Sequence, residues 1–141
     1  MTRKLAFLIL RVAVGGLFVY AALTKLGALD AFAEEIANYR VLPAITVSVF
    51  AAALPGVELL AGVLLIVGRW IRPAALLLTL LLGVFVAALS QALLRGINLS
   101  CGCFGGAELA TWGTVARDGV IALATAAVAL LAPSKRPDRS P

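Results

Sequence analysis

The sequence contains no histidine, two cysteines and one methionine, and only 13% of its 141 residues are charged. Each shortage closes off a kind of chemistry. Structural zinc needs four nitrogen or sulfur ligands and catalytic zinc three, so two thiols without an imidazole cannot build either site. No metal centre of that kind is expected. A single cysteine pair also leaves no second dithiol, which excludes a thiol cascade carried across a bilayer by this chain alone. The net charge of +5 comes from basic residues spread over short loops and the ends of the chain. Nucleic acid is therefore not an expected partner.

What the sequence has in excess is apolar surface, with a hydrophobic fraction of 62% and a mean hydropathy of +1.06. Both values belong to membrane proteins. Four runs, approximately Leu5 to Thr24, Ala44 to Val67, Pro73 to Leu94 and Trp112 to Ala132, reach the roughly 20 residues that cross a hydrocarbon core of about 30 Å. Arg11 interrupts the first run, and more apolar residues follow it without a clear cleavage site, so we read that run as a retained helix and not a signal peptide. Pro43 and Pro73 stand at or beside helix starts, and Pro133 closes the last run.

The segment "GALDAFAEEIANYRVLP" between the first two runs is too polar to span. Leu29, Phe32, Ile36 and Tyr39 recur at three- and four-residue spacing, with Asp30, Glu34, Glu35 and Asn38 assigned to other faces. This predicts a short amphipathic helix lying on the outer surface. The expected fold is thus all-α: a polytopic membrane protein with a four-transmembrane-helix bundle and one amphipathic helix between helices one and two. It forms one transmembrane domain over residues 1–132, followed by a short disordered cytoplasmic tail over 133–141.

Lysine and arginine placement sets the expected orientation. Arg3 and Lys4 precede the first run, Arg69 and Arg72 separate the second from the third, and Lys135, Arg136 and Arg139 follow the fourth. On the opposite side Lys25, Arg40 and Arg95 are accompanied by Asp30, Glu34, Glu35 and Glu108. The count puts both termini inside and the connection after the third run outside.

Ionisable side chains inside spanning helices cost about 2.5–3.5 kcal/mol each on insertion scales, so each needs a partner or a cavity. Arg11, Glu58, Arg117 and Asp118 are such residues. Arg11, Gly15, Phe18, Ala22 and Lys25 form one stripe at 100° per residue. Depth counted at about 1.5 Å per residue predicts that Arg11 pairs with Glu58. It groups Arg117 and Asp118 with Lys25 and Gln91 nearer the outer end.

Both cysteines fall in that outer connection, in "NLSCGCFGGAEL". As a staple, a disulfide closing three residues would contribute about 1.6 kcal/mol by chain entropy, and strain could erase it. As an exchange centre the pair makes chemical sense. One thiolate attacks an incoming disulfide, the other resolves the mixed disulfide, and Gly102 removes a Cβ that would hinder closure. Cys101 and Cys103 could instead hold a soft ion such as Cu(I).

The strings "RVAVGGLFVYAALTKLGALDAFAEEIANYRVLP", "LPGVELLAGVLLIVG", "CGCFGG" and "ARDG" together cover most of the chain. In them the sequence resembles the MauE-type methylamine-utilisation proteins within the broader DoxX-like membrane families. The resemblance implies a four-helix redox-associated membrane protein that supports maturation of the disulfide-rich small subunit of methylamine dehydrogenase, alongside a thioredoxin-like extracytoplasmic partner. By position Cys101 and Cys103 match the redox motif; Glu58, Arg117 and Asp118 match polar positions without an assigned role.

The leading expectation is a membrane thiol–disulfide protein. Cys101 and Cys103 are its reacting residues, and Asp118, Arg117, Lys25, Glu58 and Arg11 its supporting polar residues. A quinone or a partner protein would accept the electrons. The rivals are a soft-metal-binding or transport protein, with Asp118, Lys25 and Glu58 lining a path, and a non-catalytic assembly subunit of a membrane oxidoreductase. A homodimer is compatible with so small a bundle.

Overall fold

The computed structural model describes residues 2–98 and 109–133. It contains five helices: α1 (Thr2–Leu26), α2 (Leu29–Asn38), α3 (Ala44–Val67), α4 (Ile71–Leu94) and α5 (Trp112–Leu131). Among the described residues every extended element is a helix, as the sequence predicts, and α1, α3, α4 and α5 are each long and apolar enough to cross a membrane. The chain is an all-α integral membrane protein. The cysteine connection and, beyond Pro133, the expected tail lie outside the described residues.

Helix ends follow backbone chemistry and not hydropathy alone. Thus α1 begins three residues before the apolar run and α4 two residues before Pro73, because a polar or basic residue such as Arg3, Lys4 or Arg72 continues a helix as readily as leucine does. Pro43 is the N-cap of α3, at φ −59° and ψ 141°. Ala132 turns extended, at ψ 130°, the conformation imposed on the residue before a proline. The N-cap of α5 is Thr111, which exchanges side-chain hydrogen bonds with Thr114 across the first turn, satisfying amides that a helix start leaves open.

The α3–α4 turn depends on Gly68. It sits at φ +85°, and its amide and that of Arg69 both donate to the Leu64 carbonyl, at 2.9 and 3.1 Å. This left-handed C-cap favours glycine. A Cβ there would also collide with Nη1 of Arg11.

The spanning helices form a ring in which α1 packs along α3, α3 meets α4, α4 packs along α5, and α5 returns to α1. Their shared core is built from Val14, Phe18, Ala61, Leu65, Ala74, Ala75, Leu78, Val128 and Ala129. Small residues matter here because lipid chains are as apolar as leucine, so helices associate through close packing and buried hydrogen bonds. Between α4 and α5 the Thr79 hydroxyl donates to Thr125 Oγ1 at 2.9 Å, and Thr125 donates to the Ala122 carbonyl at 2.8 Å.

The tightest approach is between α1 and α3. A Cβ added at Gly15 would lie 2.8 Å from the Gly62 carbonyl oxygen, and one added at Gly62 would lie 2.9 Å from the Gly15 carbonyl oxygen. Backbone faces backbone at this crossing, and neither side can yield as a flexible side chain would. Next to it, Gly16 has nothing within 4 Å of an added Cβ. Gly15→Ala is expected to destabilise the bundle by about 1–3 kcal/mol through overpacking, while Gly16→Ala is neutral or stabilising by up to about 1 kcal/mol through helix propensity. Thermal unfolding of the two variants in the same detergent checks the contrast.

Candidate functional site

The Gly15–Gly62 crossing fixes where the charges of α1 and α3 can meet. The helices run antiparallel, so Lys25 lies about 15 Å from the crossing along α1 and Glu58 about 6 Å from it along α3, both toward the end where α2 sits. Each side chain leans toward the N-terminus of its own helix. For antiparallel neighbours this means that Lys25 and Glu58 lean toward one another. They close the gap with a two-pronged ion pair, Nζ standing 2.9 Å from Oε1 and 2.7 Å from Oε2.

This corrects the expected partner of Glu58. Arg11 lies about 6 Å on the opposite side of the crossing and leans farther away, which brings its guanidinium beside Gly68 at the C-terminus of α3. A cation there complements the negative end of the helix dipole. The depth count fails because it treats the ends of α1 and α3 as level, whereas α1 extends well beyond the end of α3. Arg11 is thus separate from the other polar residues.

Lys25 is 8% exposed and the Glu58 side chain 13%. The ammonium also stands 5.3 Å from the centre of the Phe32 ring, within cation–π range. Across the bundle, Asp118 of α5 is 1% exposed and accepts from Nε of Arg117 at 3.1 Å. The Arg117 side chain is 43% exposed, so this pair reaches from the interior toward the surface.

Lys25, Glu58 and Asp118 border a common cavity of ≈ 360 Å³. Its remaining walls are mostly apolar and come from all four spanning helices, with Phe32, Glu35, Ile36 and Tyr39 of the α2 region on one side. Tyr39 packs edge-on against Phe85 of α4, with ring centres 5.9 Å apart and planes at 62°, tying the end of α2 to the bundle. The expected amphipathic helix is present, but it forms a wall of the cavity.

Glu35 is the residue that sequence reasoning assigned to the wrong face. Its position three residues after Phe32 and four before Tyr39 was the available signal, since that spacing keeps all three on one helical stripe. Burial pushes the Glu35 carboxyl above its ordinary range, while nearby Lys25 pulls the other way. The expected outer cluster of Lys25 and Asp118 is found around the cavity, with Arg117 joined through Asp118 and Glu58 added. Gln91 is exposed and does not line it. Cys101 and Cys103 lie outside the described residues.

Chemically, the arrangement offers a mostly apolar chamber with a buried ammonium and three carboxyl groups at its margin. The family of methylamine utilisation protein MauE matches residues 3–132. The chain belongs to the MauE family. Methylamine utilization protein MauE of Paracoccus denitrificans is 39% identical over 131 residues, an alignment covering 91% of this chain and 70% of that protein. The MauE protein of Paracoccus versutus is 37% identical over 131 residues, with the same coverage. No solved structure matches.

Two predictions follow from the charges of this MauE-family site. Lys25→Met or Glu58→Leu alone strands a buried charge and should cost about 3–5 kcal/mol, whereas the double variant should recover most of the loss. Unfolding in detergent, arranged as a double-mutant cycle, measures the coupling. For Glu35, a raised folded pKa means that the folded state holds its proton to higher pH than the unfolded state. Stability from this group is then present at low pH and falls as pH rises through the ordinary carboxyl range and on through the raised folded value. Glu35→Gln should remove that decline in a pH series of unfolding midpoints.

Proposed function

We propose that this chain is a methylamine-utilisation accessory protein of the inner membrane and acts as a thiol–disulfide redox protein for an extracytoplasmic client. The observation that carries the reading is the Cys101-Gly102-Cys103 pair in the connection between two spanning helices. Membership of the MauE family supports the methylamine-utilisation setting. The lysine and arginine distribution favours cytoplasmic termini and a cysteine connection facing the periplasm, where a disulfide persists.

The reaction is an exchange. A client thiolate attacks the Cys101–Cys103 disulfide and forms a mixed disulfide; a second client thiolate then displaces the remaining cysteine. The client gains a disulfide, and the membrane protein is left with two thiols, so one electron pair has moved. The disulfide-rich small subunit of methylamine dehydrogenase is the client proposed from the resemblance, with a thioredoxin-like protein as the intermediary. Asp118 lies about 9 Å along α5 from Trp112, at the end of the helix that follows the cysteine pair in sequence.

The test is a redox titration of the pair in sealed membrane vesicles of known orientation. Thiols are trapped with a mass-tagged alkylating agent that cannot cross the bilayer. A reversible two-thiol transition reached from the periplasmic face, at about −230 to −120 mV, is the expected result, and either Cys→Ser variant should abolish it. Failure to form the disulfide at any potential overturns the redox role. Labelling that occurs only from the cytoplasmic face overturns the orientation.

A further inference from the structure

The cavity bordered by Lys25, Glu58 and Asp118 has features that specify an occupant more closely than its size alone. A cavity of about 150 Å³ lined by Leu, Ile and Phe suffices for benzene. At ≈ 360 Å³ this one has room for a substituted ring and the beginning of a side chain. Phe18, Phe32, Tyr39 and Phe85 contribute aromatic faces and edges to its lining, which suit a flat ring.

Charge limits the occupant further. Lys25 is paired with Glu58 and Arg117 with Asp118, so a charged guest would have to compete with an existing buried pair. A neutral guest does not. The Lys25 ammonium has three N–H donors, two of which are directed to the oxygens of Glu58. The third can meet an acceptor such as a carbonyl oxygen. The Glu35 carboxyl, its pKa raised by burial and lowered by Lys25, also borders the cavity.

The rim shows the route of access. Phe50 of α3 and Leu80 and Val84 of α4 line the cavity and are 43%, 65% and 63% exposed. On membrane-spanning helices such a rim opens toward lipid chains, so the guest arrives dissolved in the bilayer.

We propose that this cavity binds a lipid-soluble quinone, with its ring among the aromatic side chains, one carbonyl accepting from Lys25, and its tail leaving between α3 and α4. Binding stands on the cavity itself. Its use as an electron acceptor rests on the redox reading above. There, oxidation of the two thiols to a disulfide releases two electrons and two protons, and reduction of one quinone to its quinol consumes both.

The probe is a decyl-substituted benzoquinone titrated by equilibrium dialysis into purified full-length protein in nanodiscs, with an azido analogue for photolabelling and peptide mapping. The expected result is saturable binding with labelling on α2 or α4. Lys25→Met combined with Glu58→Leu, which removes the charges together, should weaken binding about tenfold through loss of a charged hydrogen bond. Ala88→Phe fills the cavity from α4 without touching a charge and should abolish saturable binding. The Cys101→Ser/Cys103→Ser protein should bind as the parent does, which separates this site from the redox reading. Partition that does not saturate, binding unchanged by Ala88→Phe, or a co-purified acyl chain that the quinone cannot displace would each overturn the assignment.

Discussion

The α1–α3 crossing at Gly15 and Gly62 governs the polar interior because carbonyl oxygens and Cα atoms approach there without intervening side chains. Such contact fixes both the separation of the helices and their relative height. Height decides the charges: on one side of the crossing Lys25 and Glu58 reach toward each other, and on the other Arg11 reaches the end of α3. A bulkier residue at the crossing would disturb packing and ion pairing together.

The pair has an energetic logic specific to a membrane. Neither charge could be left alone in hydrocarbon without a penalty of several kcal/mol. Together, with the Phe32 ring against the ammonium, they can remain beside a chamber whose other walls are largely apolar. The Asp118–Arg117 pair solves the same problem differently, with a buried carboxylate and a half-exposed guanidinium. The hydroxyl contact between Thr79 and Thr125 adds a polar link on the opposite side of the bundle without introducing charge.

The sequence makes the spanning helices readable because about 20 apolar residues in a row have few other uses. The stripe on α1 is readable too: Gly15, Phe18, Ala22 and Lys25 are buried together as helical periodicity requires. Relative helix height is harder to read, since it depends on packing between segments distant in sequence. Counting depth from the helix ends therefore pairs Glu58 with Arg11, whereas packing pairs it with Lys25. A void is less legible still. Phe32, Glu35 and Tyr39 share a stripe on the sequence, but only the placement of α2 against the bundle turns that stripe into a wall.

The 33-residue separation between Lys25 and Glu58 also has a consequence for biogenesis. At a synthesis rate of 5–20 residues per second, the lysine emerges about 2–7 s before its partner. Lys25 stands next to the last residue of α1, where a long side chain can keep its ammonium at the membrane–water boundary. Glu58 lies in the middle of α3 and has no such refuge, but it arrives second, when its counterion is already waiting. The order of the two charges along the chain therefore lets the acidic helix enter the bilayer toward a prepared partner.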